Sequence, residues 1–225
     1  MPRHLTLFDL DGTLLPTDSD HAFGEYLVRI GWADGEAHRR ANDRFYADYL
    51  AGRLDMTAYV DFATAPWRQR SAAELADVTE RFLADVARPA LHPAALALVQ
   101  RHRDAGDLIA IVTATNEFVT RPIADLFGIE HLVATELVRD ASGQVTGAIR
   151  GTPSFRDGKI GCVDAWLAGL GHRLSDFERC TFYSDSTNDL PLLEHVSHPV
   201  ATNPVPALAA IAAERGWPVL HLFNT

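Results

Sequence analysis

Three short apolar runs in this chain stop at residues able to do acid–base or ligand chemistry. Leu5 to Phe8 runs into Asp9 and, two residues on, Asp11, with Gly12 behind them. Leu108 to Val112 stops at Thr113, and Cys180 to Tyr183 runs into Ser184, Asp185 and then Asp189. Apolar runs of this length, bounded by turn residues, read as buried strands. Parallel strands present their C-terminal ends together, at the edge where open α/β sheets bind ligands. Carboxylates crowded at one such edge repel each other unless a cation lies among them. Hard oxygen donors suit Mg²⁺, which keeps waters and accepts phosphate oxygens as further ligands.

Basic residues are unevenly chosen: there are nineteen arginines and a single lysine, Lys159. A compact ammonium acts on phosphate as a point charge, whereas a guanidinium is a wide planar fork, so the exception is informative. Bulk composition narrows the function further. A chain of 225 residues, 47% hydrophobic, can bury a full core. Its formal charge of −10 argues against nucleic acid or an anionic membrane as partner, since both reward clustered Lys and Arg. Cys162 and Cys180 lack metal-ligand spacing and read as packing residues. The N-terminus, MPRHLTLFDLDG, has no apolar run of signal-peptide length and no later stretch approaches a membrane span, so a cytoplasmic, reducing setting is expected.

The elements that must position these residues can be read from periodicity. From about Asp18 to Val86 apolar side chains recur at helical spacing: Phe23, Leu27 and Ile30, then Phe45, Tyr49 and Leu50, then Tyr59 and Val60, then Leu75, Val78, Phe82 and Val86. Arg88-Pro89 and His92-Pro93 act as breakers on the return. This predicts an all-α insertion over residues 17–88, dividing a core made of residues 1–16 and 89–225. Trp32, Phe45, Tyr46, Tyr49 and Trp67 are assigned to packing inside that insertion. Beyond Pro93, helices and strands alternate, with a hairpin around Asp140–Gly143, a helix opening at Lys159 and a last short strand near residues 219–222. The fold class expected is α/β: a Rossmann-like, doubly wound parallel sheet with an all-α cap domain inserted after the first strand.

The run Phe8-Asp9-Leu10-Asp11-Gly12-Thr13-Leu14 resembles the D-x-D-G-T signature of the haloacid dehalogenase superfamily of hydrolases. Three further motifs stand in that family's order: IAIVT ending at Thr113, then Lys159, then Ser184-Asp185-Ser186-Thr187-Asn188-Asp189. Ser184 stands where many members carry Gly. The resemblance spans the whole core and implies a Mg²⁺-dependent phosphatase. Asp9 would be the nucleophile, taking the phosphoryl group as an aspartyl-phosphate. Asp11 would protonate the departing alkoxide and then deprotonate the hydrolytic water. The metal ligands implied are Asp9, the main-chain carbonyl of Asp11, and Asp185. Thr113 and Lys159 would meet the transferring phosphoryl oxygens, with Ala114 beside them in the substrate site, while Asn188 and Asp189 would orient the ligands or Lys159. Asp189 could equally cap a helix beginning near Leu190.

An all-helical insertion between the first two motifs is the cap placement of the phosphoserine phosphatase-like branch, whose caps close over small substrates. In that branch an acid shortly after the first motif meets the substrate's amino group. Asp18 stands at the comparable position, and could equally N-cap a helix starting near His21. Arg53, together with Arg68 and Arg70, is a candidate for reading a substrate carboxylate. The substrate implied is a small phosphomonoester related to an amino acid, such as phosphoserine or histidinol phosphate. The alternative is a phosphotransferase that passes the phosphoryl group to an organic acceptor. His195 and His198 have a metal-ligand spacing but no third ligand, and read as a solvated helix end.

Overall fold

Leu5, Thr6, Leu7 and Phe8 are all buried, a pattern that only a strand covered on both faces permits. The computed structural model describes residues 3–223 and places that strand at the centre of a sheet. The strands are β1 (His4–Phe8), β2 (Leu108–Asn116), β3 (His131–Thr135), β4 (Leu137–Arg139), β5 (Val145–Ile149), β6 (Arg179–Ser184), β7 (His198–Thr202) and β8 (Val219–Leu220). Six of them form one sheet in the order β3-β2-β1-β6-β7-β8, with every neighbouring pair parallel. Alternation along β1 sends Leu5 and Leu7 to a core shared with Val112, Phe182 and Leu167, and Phe8 to one shared with Ile111, Leu98 and Ile123. This is the Rossmann-like layering expected from the sequence.

The helices are α1 (Ser19–Arg29), α2 (Gly35–Leu50), α3 (Met56–Thr64), α4 (Ala72–Phe82), α5 (Arg88–Ala90), α6 (Pro93–Asp104), α7 (Glu117–Leu126), α8 (Gly158–Gly169), α9 (Leu190–His195) and α10 (Pro206–Arg215). Side-chain caps start α1, α3 and α4. Asp18 accepts from the His21 N–H, Asp55 from Thr57 and Ala58, and Ser71 with Glu74 closes a capping box. Phe23, Trp67, Val78 and Phe82 then join the sheet-side core through Phe118 and Ile123, so the helical segment packs against α7. No single helix is long and apolar enough to cross a membrane among the described residues.

Several local expectations change. Arg88-Pro89 does not break the helix: residues Leu83–Ala87 widen into a π-turn, and helical geometry continues through Ala90, because the wider turn absorbs the hydrogen bond proline cannot make. β2 does not stop at Thr113 but runs on to Asn116, whose side chain then caps α7 by accepting from the Val119 N–H. The hairpin β4–β5 forms, with Asp140 Oδ1 accepting from Ser142 and Gln144, yet it stays apart from the main sheet. It packs along α3, and Arg68 donates to the Thr146 carbonyl at 3.4 Å. Leu50, assigned to an apolar stripe, is 56% exposed at the end of α2.

Trp67 is 1% exposed and stacks on Phe118 with centroids 4.1 Å apart, joining the helical segment to the core. Trp67→Ala is expected to lower stability by about 3–5 kcal/mol in urea denaturation, whereas Tyr46→Ala, at a site 38% exposed, should stay within about 0.5 kcal/mol of the parent.

Candidate active site

Strand register brings the reactive residues together. Phe8 pairs with Ile111 on one side and Tyr183 on the other, so Asp9, just beyond β1, lies within one residue of the level of Thr113 in β2 and of Asp185, just beyond β6. That level lies beside the gap between β1 and β6, where the strand order reverses and ligand crevices form in doubly wound sheets. The Asp9 N–H still donates to the Tyr183 carbonyl at 2.9 Å, which fixes the first residue beyond the strand.

Lys159, in the first turn of α8, is 1% exposed. Its Nζ donates to Asp9 Oδ1 at 2.9 Å, to Asp189 Oδ2 at 2.8 Å and to the Val112 carbonyl at 3.1 Å. Burial alone would push the ammonium down, but the flanking carboxylates of Asp189 and Asp9 outweigh it and hold Lys159 above its usual value. All three of its donors are engaged, by Asp9, Asp189 and the Val112 carbonyl, so Lys159 bears on the site through Asp9. Asp189 makes no cap bond to α9. It takes Lys159 and the Ser184 hydroxyl instead, the latter at 2.7 Å.

Asp11 is held from both sides: Oδ1 accepts from the Ser19 N–H at 2.7 Å and Oδ2 from the Thr115 hydroxyl at 3.0 Å. Burial and then the Asp18 carboxylate push it up to about 7, against the pull of those hydrogen bonds. Thr113 Oγ1 accepts from the Thr115 N–H at 3.2 Å, which leaves its own proton free to donate into the site.

Asp9 Oδ2 and Asp185 Oδ1 share one donor, the Thr13 hydroxyl, at 3.5 and 3.3 Å. The two carboxylates therefore converge. Burial pushes Asp9 up to about 7 although Lys159 opposes it, and burial followed by the charges of Asp9 and Asp189 drives Asp185 well above the usual carboxylate range. A Cβ on Gly12 would lie 2.2 Å from Asp185 Oδ2, so the glycine, at φ +76°, leaves that oxygen its space. Among the described residues no three His, Cys, Asp or Glu side chains form a metal cage. The donor set here is the two convergent carboxylates of Asp9 and Asp185. It fits the partial oxygen shell of Mg²⁺, which leaves positions for water and substrate.

Opposite these residues, α1, α2 and α3 wall a cavity of about 40 Å³, lined by Asp9, Asp11, Asp18, Asp20, His21, Asn42, Phe45, Tyr46, Tyr49, Leu54, Met56, Tyr59, Thr113, Ala114 and Thr115. It has enclosed room for roughly three waters. Asp18 is both the α1 cap and part of this wall, so the two readings of it coexist. Tyr46 and Tyr49 line the cavity, Phe45 lines it while also packing on Tyr59 and Phe62, and Trp32 and Trp67 pack in the core. Phe45, Tyr46 and Tyr49 form one stripe of α2 with Asn42 at helical spacing, the signal that could have identified them. Asp20 was missed altogether. It is buried, meets Asn116 Nδ2 at 3.5 Å, and is pushed up to about 7 by burial, although a hydrogen bond from Tyr59 works against the shift.

The arginines expected to read a carboxylate lie elsewhere. Arg53 pairs with Asp48 at 2.9 Å with its side chain 67% exposed, Arg68 pairs with Asp61, and Arg70 pairs with Glu74 and covers Trp32. Each has an acid within a turn or two of its own chain, and none lines the cavity. Asn188 does not reach Lys159 either: its Nδ2 donates to the Tyr49 carbonyl at 2.8 Å, and Arg156 donates to the Gly52 carbonyl at 2.7 Å. These two bonds tie the end of α2 to the core. His198 bonds the neighbouring Ser197 hydroxyl and belongs to no metal group.

The sequence pattern of haloacid dehalogenase-like hydrolases matches residues 6–194. A histidinol-phosphatase from Neisseria meningitidis serogroup C (strain 8013) is 44% identical over 219 residues, which is 97% of this chain and 99% of the relative. The crystal structure of a protein of unknown function from Bordetella pertussis Tohama I superposes with a TM-score of 0.93 at 49% identity, covering 99% of this chain and 100% of the other. A substrate-bound phosphoserine phosphatase superposes with a TM-score of 0.67 at 14% identity, over 98% of this chain and 93% of the other, a likeness of fold. The pattern runs from β1 through α9 and so takes in the strand ends that carry Asp9, Thr113 and Asp185. The chain belongs to the haloacid dehalogenase-like hydrolase family.

Proposed function

We propose that this phosphatase hydrolyses histidinol phosphate, with Mg²⁺ as cofactor and Asp9 carrying the phosphoryl group between two displacements. The observation that supports this substrate is the charge of the cavity wall: Asp9, Asp11, Asp18 and Asp20 line it, and no arginine or lysine does. Phosphoserine would place its carboxylate among carboxylates without a partner. Histidinol phosphate carries an ammonium and an imidazole but no carboxylate, so Asp18 and Asp20 can take its cationic groups while Phe45, Tyr46 and Tyr49 flank its ring. The 44% identical histidinol-phosphatase, aligned over nearly all of both chains, supports the same reading. The phosphotransferase alternative has no observation in its favour.

Each step follows from where the side chains sit. Asp9 Oδ2 faces Asp185 and would help hold the cation together with Asp185 and the Asp11 carbonyl. That leaves Oδ1, kept in place by Lys159 Nζ at 2.9 Å, as the attacking atom. The bound cation would neutralise charge on the phosphoryl oxygens. As the Asp9 O–P bond forms and the ester P–O bond breaks, the departing alkoxide takes the Asp11 proton, which burial and the Asp18 charge retain near neutrality. Asp11, now a carboxylate, removes a proton from water. The resulting attack on phosphorus breaks the Asp9 O–P bond and releases phosphate. The Thr113 hydroxyl donates to a phosphoryl oxygen, and Lys159 stabilises Asp9 as the leaving group of the second step. The helices over the strand ends keep other water out.

Steady-state kinetics with Mg²⁺ should show kcat/KM for histidinol phosphate at least about 100-fold above that for phosphoserine, and equal values would overturn the proposed substrate. Asp9→Asn should remove turnover. Asp11→Asn should release about one equivalent of p-nitrophenol from p-nitrophenyl phosphate in a burst and then stall, because that leaving group needs no proton while the second step still needs its base. Chelation with EDTA should abolish activity, with recovery on adding Mg²⁺. Gly12→Ala, which crowds Asp185 Oδ2, should raise the Mg²⁺ concentration for half-maximal activity by about tenfold or more.

A further inference from the structure

At the end of the sheet opposite Asp9, α6 and the first residues of β1, β2 and β6 border a cleft of about 300 Å³ lined by His4, Arg101, His102, Asp107, Arg179 and Tyr183. Its charge runs against that of the chain. Most arginines of this acidic protein are ion-paired, but Arg101 has no side-chain partner among the described residues and Arg179 has only the Thr181 hydroxyl at 3.3 Å. Asp107 is the one acid in the lining. Its Oδ2 is already held by the Thr6 hydroxyl at 2.8 Å and by His102 Nδ1 at 2.7 Å. Its Oδ1 is buried without a hydrogen bond, 3.5 Å from His4 Nδ1. His198 stands close by, its imidazole pushed down by burial and then by the charges of Arg179 and His4.

We propose that this cleft is a second anion site, binding inorganic phosphate away from the reaction centre. Two guanidinium forks suit the oxygens of a phosphate, and together they outnumber the single carboxylate of the lining, Asp107, whose Oδ2 is already held by Thr6 and His102. The hydrogen-bonded line Asp107–His102–Tyr183 supplies a third contact, since His102 Nε2 lies 2.8 Å from the Tyr183 hydroxyl. Phosphate is also what the reaction releases. Its second site would touch Tyr183, whose ring stacks 4.9 Å from that of Phe8, the residue before Asp9.

Calorimetric titration of inorganic phosphate into the full-length protein, held metal-free with EDTA, tests this. The parent and a Thr113→Val variant, altered only at the reaction centre, should bind alike. An Arg101→Gln/Arg179→Gln variant should lose at least about tenfold in affinity, as expected for two lost charge-assisted contacts. That double variant should keep the parent's circular dichroism and its kcat in phosphate-free buffer. Affinity retained in the double variant, affinity lost in Thr113→Val, or no binding by the parent up to about 10 mM phosphate would overturn the proposal.

Discussion

The buried ammonium of Lys159 is the interaction on which the rest of the site depends. Three strand ends converge on a space that holds the carboxylates of Asp9, Asp185 and Asp189, and burial pushes both Asp9 and Asp185 above the usual range. Lys159 ties Asp9 to Asp189 from beneath and braces itself on the Val112 carbonyl, so one side chain joins α8 to the ends of β1, β2 and β6. Removing one partner from such a buried set typically costs about 3–5 kcal/mol, because the charges left behind have no solvent. The same contact turns Asp9: with Oδ1 on Lys159, Oδ2 is left to face Asp185 and Thr13.

A consequence is that the cavity above is electrically unbalanced. The single lysine is engaged below the floor, the arginines of the helical segment are paired on its surface, and the wall facing a ligand is acidic. A phosphoryl group can enter such a space only if cationic groups accompany it, whether a bound metal at the floor or an ammonium or imidazolium on the ligand itself. Charge thus filters ligands by what they carry beyond the phosphate. The small volume of the cavity adds a second filter, by size. Asn188 holds the Tyr49 carbonyl of α2 and Arg156 the Gly52 carbonyl just beyond it, so the end of α2 is fastened both to the loop that carries Asp185 and Asp189 and to the segment before α8.

The floor of this site could be read in the chain because its grammar is local. A parallel strand buried on both faces must be a continuous apolar run, and the polar residue that ends it must lie at the C-terminal edge. Asp9, Thr113 and Asp185 therefore declared both their type and their place, and Lys159 stood out as the only lysine. The helical segment was equally visible as a change of period from two to 3.6. Boundaries were less visible where a longer-range contact decided them: β2 runs past Thr113 because Thr115 reaches Asp11 and Asn116 caps the next helix. The hairpin was visible, but not that it would serve α3 instead of the main sheet, because its register with Arg68 joins residues far apart in sequence.

The wall of the cavity was the part the chain alone could not assign. Phe45, Tyr46 and Tyr49 have the composition of core residues, and an amphipathic pattern reports only that one face of a helix is covered, not whether protein or ligand covers it. The fate of the arginines depended on which acids came within reach after folding, and Arg53, Arg68 and Arg70 each found one outside the cavity. Asn188 was drawn to a carbonyl in the helical segment instead of toward Lys159. The sequence by itself determined the sheet and the acids and Thr113 gathered at its edge, since these rest on strand periodicity and side-chain type. Only the tertiary structure decided which side chains meet a ligand and with what charge, because that depends on how two separately patterned segments close over one another.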